Sequence, residues 1–238
     1  MKAGIIGAGI VGKALAKCYK KNKIKVIIKD KDKVIMSSIN FLNICIPYTK
    51  KFNSIVISYI KKIKPKYVII HSTVPCGTAD FIRRKIRCEV ISSPVRGSHD
   101  NLYESLKIFL KYVGCNNTQA AVAAVKHFRE IGIDCKILNS NKAAELLKLL
   151  CTTYYGICIK WHDHMFKMCQ KAGINFGDIT HWNLSYNAGY SKLNCKHVVR
   201  PILTPPKGKI GGTCIIPNAK LLKLFTDDKF IDILINNM

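Results

Sequence analysis

The sequence predicts an α/β protein. Its core is a Rossmann-type, doubly wound, mainly parallel sheet, followed by a long helix and a small, mostly helical C-terminal region. Three observations predict this. Short apolar runs alternate with helix-period stretches up to residue 140. The first run opens straight into Gly7-Ala8-Gly9-Ile10-Val11-Gly12. Beyond Asn141 the alternation gives way to one unbroken helical pattern.

Taken in order, the opening strand ends at Gly7, which allows a tight turn. Gly9 lets the backbone approach a pyrophosphate, and Gly12 lets the next helix pack closely on the strand. That helix aims unpaired N–H groups and a partial positive charge at the phosphates. Lys23–Ile28 reads as the second strand. Asp30 follows it, eighteen positions after Gly12, where a carboxylate accepts ribose hydroxyls. It also repels a 2′-phosphate, which favours NAD over NADP, although Lys29, Lys31 and Lys33 partly offset that repulsion. Phe41–Ile46 is a third strand stopped by Pro47. A helix around Phe52–Ile63 leads to the strand Tyr67–His71 and then to Ser72-Thr73-Val74-Pro75. Further strands are predicted at Glu89–Ile91, Ile108–Val113 and Cys135–Leu138, with a helix over Thr118–Ile131.

Lys142–Lys171 contains no proline and reads as one helix of about eight turns. Leu146, Leu150, Tyr154, Ile157 and Trp161 recur at three- and four-residue steps and predict a core stripe, with Gly173 as the stop. The tail carries Pro201, Pro205 and Pro206 and reads as less regular. Within it, Asn183, Tyr186 and Asn187 are expected to bond a sugar or close a turn. The expected division is a nucleotide-binding domain at 1–140 and a catalytic region at 141–238. The long helix is too apolar for one small domain to cover, so a homodimer through it is expected.

Composition narrows the class. The chain has 238 residues, 48% of them hydrophobic, enough to bury a core. No run approaches the roughly 18 apolar residues of a membrane span, and a strand beginning next to Met1 leaves no space for a targeting segment. A cytoplasmic protein is expected. The eleven cysteines are scattered without a Cys-x-x-Cys pair, against a disulfide framework or zinc ribbon. The formal charge is +25, but lysines are spread along the chain and dense only at Lys20–Lys33 and Lys61–Lys66. No aromatic-interleaved basic stretch accompanies them, so a solvated surface is favoured over nucleic-acid binding.

The residues able to do chemistry are few. In Gly211-Gly212-Thr213-Cys214 two glycines give a backbone that a substrate can approach closely. Taken alone, Cys214 reads as a small buried thiol; a helix starting near it would instead lower its pKa and make it a nucleophile. His162-Asp163-His164 places two histidines two apart on a helix, pointing away from each other, so a solvated face and no metal are expected. His99, in a loop after a strand end, is either a ligand contact or a loop polar residue.

These pieces together resemble the UDP-glucose/GDP-mannose dehydrogenase family. The matching segments are Gly7–Gly12, His71-Ser72-Thr73-Val74-Pro75-Cys76-Gly77-Thr78, Ala144-Glu145-Leu146-Leu147-Lys148 and Gly211–Cys214, in the family's order. The resemblance implies oxidation of a sugar C6 alcohol in two NAD-dependent steps, with an aldehyde captured by Cys214 and a thioester hydrolysed by water. It implies that Lys148 holds the substrate oxygen and that Thr73 lines the cofactor and water site. The implied cofactor contacts are Gly7, Gly9, Ile10, Val11, Gly12, Asp30, Pro47, Ser72 and Thr73. Thr152 and Asn218 stand where the family has an asparagine and an aspartate that organise water. Ser92-Ser93-Pro94-Val95 lacks the family's glutamate. The family's C-terminal nucleotide-grip domain has no counterpart, so Arg96, His99, Arg200, Gly211 and Gly212 are the expected substrate contacts. Two other readings stay open: a β-hydroxyacid dehydrogenase-like reductase, which Lys148 fits equally well, and a catalytically silent NAD-binding protein.

Overall fold

The computed structural model describes residues 2–30, 36–206, 208 and 214–235. Seven strands form one sheet: β1 Ala3–Ile6, β2 Val26–Lys29, β3 Phe41–Ile44, β4 Tyr67–Ile70, β5 Glu89–Ser92, β6 Lys111–Gly114 and β7 Cys135–Leu138. Their order is β2-β1-β3-β4-β5-β6-β7. Neighbours run parallel except β5 and β6, which meet antiparallel at Ser92 and Gly114. The order reverses between β1 and β3, and ligands in such sheets settle outside the carboxyl ends of the strands at that reversal.

Helices cover both faces. On the first, α1 (Ile10–Lys21), α4 (Leu102–Ile108) and α5 (Thr118–Glu130) bury Leu15, Tyr19, Leu106 and Phe128 against Ile5, Ile69 and Ile91. On the second, α2 (Phe52–Ile63) and α3 (Thr78–Arg83) bury Phe52, Val56 and Ile82 against Ile6, Ile44, Val68 and Ile70. Successive strand residues therefore feed opposite cores, as a doubly wound sheet requires. The expected α/β class is what the chain adopts.

The long helix, α6, spans Asn141–Ala172. Ser140 accepts the backbone N–H of Ala143 at 3.1 Å, which caps its first turn. Beyond it lie α7 (Phe176–Lys192), α8 (Ile215–Lys223) and α9 (Asp232–Ile235). The chain divides into two compact units, Met1–Leu149 and Leu150–Met238.

Several expectations are corrected. The second strand runs from Val26 to Lys29, later than Lys23–Ile28, because Lys23 takes a left-handed φ of 56° in the turn after α1. Ile108 ends α4 instead of opening a strand; Phe109 adopts an extended conformation and β6 begins at Lys111. Apolarity alone does not separate a helix end from a buried strand. The C-terminal region is mostly helical, as the expected fold class has it, and Asn183, Tyr186 and Asn187 lie within α7 rather than in a turn.

The α6 stripe also differs. The buried positions are Asn141, Ala144, Glu145, Leu149, Thr153, Gly156, His162 and Cys169, whereas Leu150, Tyr154 and Trp161 are exposed, the last two at 61% and 54%. A three-to-four spacing identifies one face of a helix but not which face its own chain covers. His162, expected on a solvated face, is buried between two carbonyls. Its Nδ1 lies 2.7 Å from Cys158 O and its Nε2 3.1 Å from Pro201 O.

Candidate functional site

The glycine turn has the geometry its sequence demands. Gly7 has φ +99°, in the left-handed region, and a Cβ there would lie 2.8 Å from the carbonyl oxygen of Cys45. A Cβ on Gly12 would sit 1.9 Å from Gly7 O, so only glycine lets α1 approach the turn. Gly9 is different: nothing lies within 4 Å of where its Cβ would be. That open space at the start of α1 is where a pyrophosphate needs to approach backbone N–H groups. Asp30, at the end of β2, accepts the Ala8 N–H at 3.3 Å and so stands over the turn. Ile10 is exposed, Val11 is half-buried and Pro47 is exposed. Ser72 donates to Ile46 O at 2.6 Å, tying the carboxyl ends of β3 and β4 together beside Pro47, and Thr73 next to it is half-buried. These residues fit a dinucleotide: glycines where backbone must approach, an acid at the ribose position, and a helix N-terminus facing the phosphates.

Behind the crevice, the start of α6 is clamped to the sheet edge. The Glu145 carboxylate accepts Gly77 N–H at 2.6 Å, Ala79 N–H at 2.9 Å and Ser92 Oγ at 2.8 Å. Burial pushes its pKa above the usual carboxylate value, although all three hydrogen bonds favour the charged form. Asn141 accepts Ser92 N–H at 2.9 Å and donates to Asp80 at 3.0 Å, and Asn116 donates to the same oxygen of Asp80 at 3.1 Å. Gly77, with φ +91°, makes the turn into α3 that presents its N–H to Glu145. The Ser72–Thr78 segment and the Lys148-bearing turn of α6 are thereby held to one edge of the sheet. Lys148 is half-buried three residues beyond Glu145.

Two buried polar features were not anticipated from sequence. The first is a chain of side chains between the sheet and the helices α1 and α5. Tyr19 Oη and His127 Nε2 are 2.5 Å apart; Asn43 Nδ2 donates to Tyr19 Oη at 3.0 Å; Asn43 Oδ1 and His71 Nε2 are 2.9 Å apart. Burial holds His71 well below the usual imidazole range, with Lys111 and His127 adding to the shift, and pulls His127 down to about 4. Both rings are therefore neutral near pH 7. The second feature is Lys111, which is 3% exposed and lies in β6. Its Nζ donates to Ser93 O at 2.7 Å and lies 5.3 Å from the Phe128 ring centroid. Burial lowers its pKa to about 8. The available signal was a lone charge inside an apolar run, Phe109-Leu110-Lys111-Tyr112-Val113.

Among the other expected contacts, Arg96 is exposed, donates to Leu110 O at 3.3 Å and lies 5.2 Å from the Tyr112 ring centroid. His99 is exposed. The site's sequence departure at Val95 is buried and apolar, so no acid occupies that position.

In the second unit, Cys214 is the N-cap residue of α8 and is half-buried. Gly156, in the middle of α6, explains how α8 is seated: a Cβ there would lie 2.5 Å from Ile215 Cγ2 and 3.1 Å from Leu234 Cδ1. A helix-interior glycine costs about 1 kcal/mol relative to alanine, and here it permits close packing beside the cysteine. Asn218, one turn into α8, is buried. Thr152 is half-buried. The Arg200 guanidinium lies 4.1 Å from the Tyr186 ring centroid, while Asn187 accepts Arg200 N–H at 2.8 Å and donates to Arg200 O at 2.9 Å. Gly211 and Gly212 lie outside the described residues. Among the described residues no cluster of three or more His, Cys, Asp or Glu is arranged to hold a metal, and no helix is long and apolar enough to cross a membrane.

Fold and glycine turn together place the chain among Rossmann-type α/β proteins built like dehydrogenases. The particular likeness is to UDP-N-acetyl-D-mannosamine dehydrogenase of Methanocaldococcus jannaschii, which is 30% identical over 166 residues, covering 66% of this chain and 36% of that protein. The chain thus spans about a third of that relative's length. The solved structure of UDP-D-ManNAc dehydrogenase from Pyrococcus horikoshii superposes with a TM-score of 0.83 at 18% identity, over 98% of this chain and 67% of that one. The 3-hydroxyisobutyrate dehydrogenase of Mycobacterium tuberculosis superposes with a TM-score of 0.71 at 12% identity, over 98% and 87%. No family model matches the sequence. The resemblance to nucleotide-sugar dehydrogenases is therefore carried by sequence as well as by fold.

Proposed function

We propose that this chain is an NAD-dependent oxidoreductase of the nucleotide-sugar 6-dehydrogenase type, oxidising a primary alcohol of a UDP- or GDP-linked sugar in the cytoplasm. The observation that carries the reading is the 30% identity with the archaeal UDP-N-acetyl-D-mannosamine dehydrogenase. The open Gly9 position and Asp30 above the turn support the cofactor choice, because a carboxylate there accepts ribose hydroxyls and repels a 2′-phosphate. Gly7, Gly9, Ile10, Val11, Gly12, Asp30, Pro47, Ser72 and Thr73 are the proposed cofactor contacts.

NAD, which the Gly7–Gly12 turn and Asp30 would hold, would supply the hydride acceptor, one molecule for each of the two oxidations. Lys148 stabilises the negative charge that develops on the substrate oxygen. The Cys214 thiol adds to the aldehyde carbon, giving a thiohemiacetal. The second oxidation turns this into a thioester, and water then releases the acid and restores the thiol. Thr152 and Asn218, both neutral, hydrogen-bond that water and the acyl oxygen. Arg96, His99, Arg200, Gly211 and Gly212 grip the substrate, with the two arginines on its phosphates. The nucleotide-binding domain is assigned to 1–140 and the catalytic region to 141–238.

We further propose that the chain works as a homodimer. In the second unit Tyr154 and Trp161 of α6 and Trp182, Leu184 and Tyr186 of α7 are exposed, and α7 buries none of its own residues. A second copy of the same chain is the occupant that covers such a face.

A screen for NADH formation across UDP- and GDP-sugars tests the reaction, with product mass distinguishing aldehyde from acid. Cys214→Ser is expected to abolish acid formation while leaving NAD affinity unchanged; undiminished turnover in that variant would sink the cysteine mechanism. The β-hydroxyacid dehydrogenase reading retains support from the extent of overlap with the mycobacterial enzyme and from Val95 in place of an acid. It predicts turnover of a small 3-hydroxyacid that depends on Lys148 and is indifferent to Cys214. NAD binding without turnover on either class of substrate would leave the silent reading.

A further inference from the structure

Two basic stretches far apart in sequence lie side by side at the amino edge of the sheet, opposite the glycine turn. Lys61, Lys62, Lys64 and Lys66 precede β4; Arg83, Arg84, Lys85 and Arg87 precede β5. Tyr67 pairs with Glu89, so the segments leading into those strands are neighbours. Residues 60–66 and 83–88 contain eight basic side chains and no acidic one. Between them is a cavity of about 630 Å³, with Lys61, Lys64, Lys85 and Arg87 on its walls and Ile60 and Ile86 among its apolar lining.

Helix-dipole compensation accounts for only part of this charge. A helix C-terminus carries about half a negative charge, which one cation in the last turn answers. Lys61 and Lys62 serve α2 in that way, and Arg83 serves α3. Lys64, Lys85 and Arg87 lie beyond both helices. Glu89, the first acid in the chain after these residues, accepts from the Asn117 side chain at 3.4 Å. The ion pairs formed among the described residues do not draw on the cleft: they join Lys167 to Asp163 and Lys223 to Asp232. Cations gathered around a concavity focus a positive potential that a flat lysine surface does not. A volume in the range of small-molecule sites, with polar groups grouped around apolar lining, is the form of a ligand pocket and not of a backbone-tracking groove.

We propose that this cleft binds a small anion carrying adjacent phosphates, a di- or triphosphate, whose non-phosphate part packs on Ile60 and Ile86. Its position at the amino ends of the strands leaves the proposed cofactor crevice free, so the site does not depend on the redox reading.

Sodium tripolyphosphate titrated into the full chain at fixed ionic strength tests this, with calorimetry for affinity and amide hydrogen exchange for location. Protection is expected at 60–66 and 83–88, with binding at least tenfold tighter than that of sulfate. The double variant Lys61→Gln/Arg87→Gln should weaken binding tenfold or more. Lys126→Gln/Lys136→Gln, which removes equal charge at exposed positions on α5 and β7, should change it less than twofold. Equal losses in the two double variants, parity with sulfate, or protection confined to residues 7–12 would each overturn the proposal. So would a 12-nucleotide strand that protects the same residues and binds more tightly than tripolyphosphate.

Discussion

Replacing Lys111 by methionine keeps most of the side chain's volume and removes its charge, which isolates the electrostatic cost of burying that ammonium. The folded protein holds Lys111 at a pKa of about 8 against 10.5 for the free side chain, with burial as the main cause and Lys148 adding to it, while Cys135, Cys45 and Cys18 oppose it. Between these two values the unfolded chain binds a proton that the folded chain has released, so stability rises with pH across the window. At about 1.4 kcal/mol per pKa unit, the gain is about 3 kcal/mol between pH 8 and 10.5. Buried thiols act in the opposite sense. Burial raises Cys18, Cys88 and Cys135 to about 11 and Cys45 to about 12, so each loses stability as pH climbs above 9. Those slopes are common to both proteins, and the difference between wild type and Lys111→Met cancels most of them. The variant also leaves Ser93 O without its donor, a cost of about 1–3 kcal/mol that does not vary with pH. Urea midpoints measured every half unit from pH 7 to 10.5 should therefore show wild type gaining about 3 kcal/mol on the variant as pH rises. A difference that stays flat within about 1 kcal/mol would refute the buried-charge argument.

Three other outcomes follow from the geometry. Gly12→Ala forces a methyl into Gly7 O and should lower stability by about 3 kcal/mol or more, whereas Gly9→Ala meets open space and should change it by less than about 0.5 kcal/mol while weakening NAD binding; calorimetric Tm and nucleotide titration separate the two. Glu145→Gln replaces an acceptor of three hydrogen bonds by a group that turns donors toward donors, and should cost about 2–4 kcal/mol in urea unfolding, with hydrogen exchange rising first at residues 77–79. Trp161→Glu should yield a monomer by sedimentation at micromolar concentration with an unchanged circular dichroism spectrum; a monomeric wild type would remove the basis for the dimer.

The nucleotide half was legible because its rules are local. Gly7 is dictated by its own left-handed φ and Gly12 by a backbone contact five residues away, and strand-to-helix alternation reads directly as a parallel sheet with helices on both faces. The buried bonding of Glu145 and Lys111 was not legible in the sequence. Their partners, Gly77, Ala79 and Ser92 for one and Ser93 for the other, lie 18 to 68 residues away in sequence, and no spacing rule encodes such distances.

By itself, then, the sequence determined the fold class, the glycine turn with Asp30, the extent of the long helix and the family that the chain resembles. Each of these rests on period, sterics or short-range backbone geometry. Tertiary structure alone decided which face of α6 is covered, that His162 is buried, that α7 is a helix with an open aromatic face, and that two basic stretches share one cleft. These depend on which distant segments come together, and a side chain's burial and charge environment are properties of that packing.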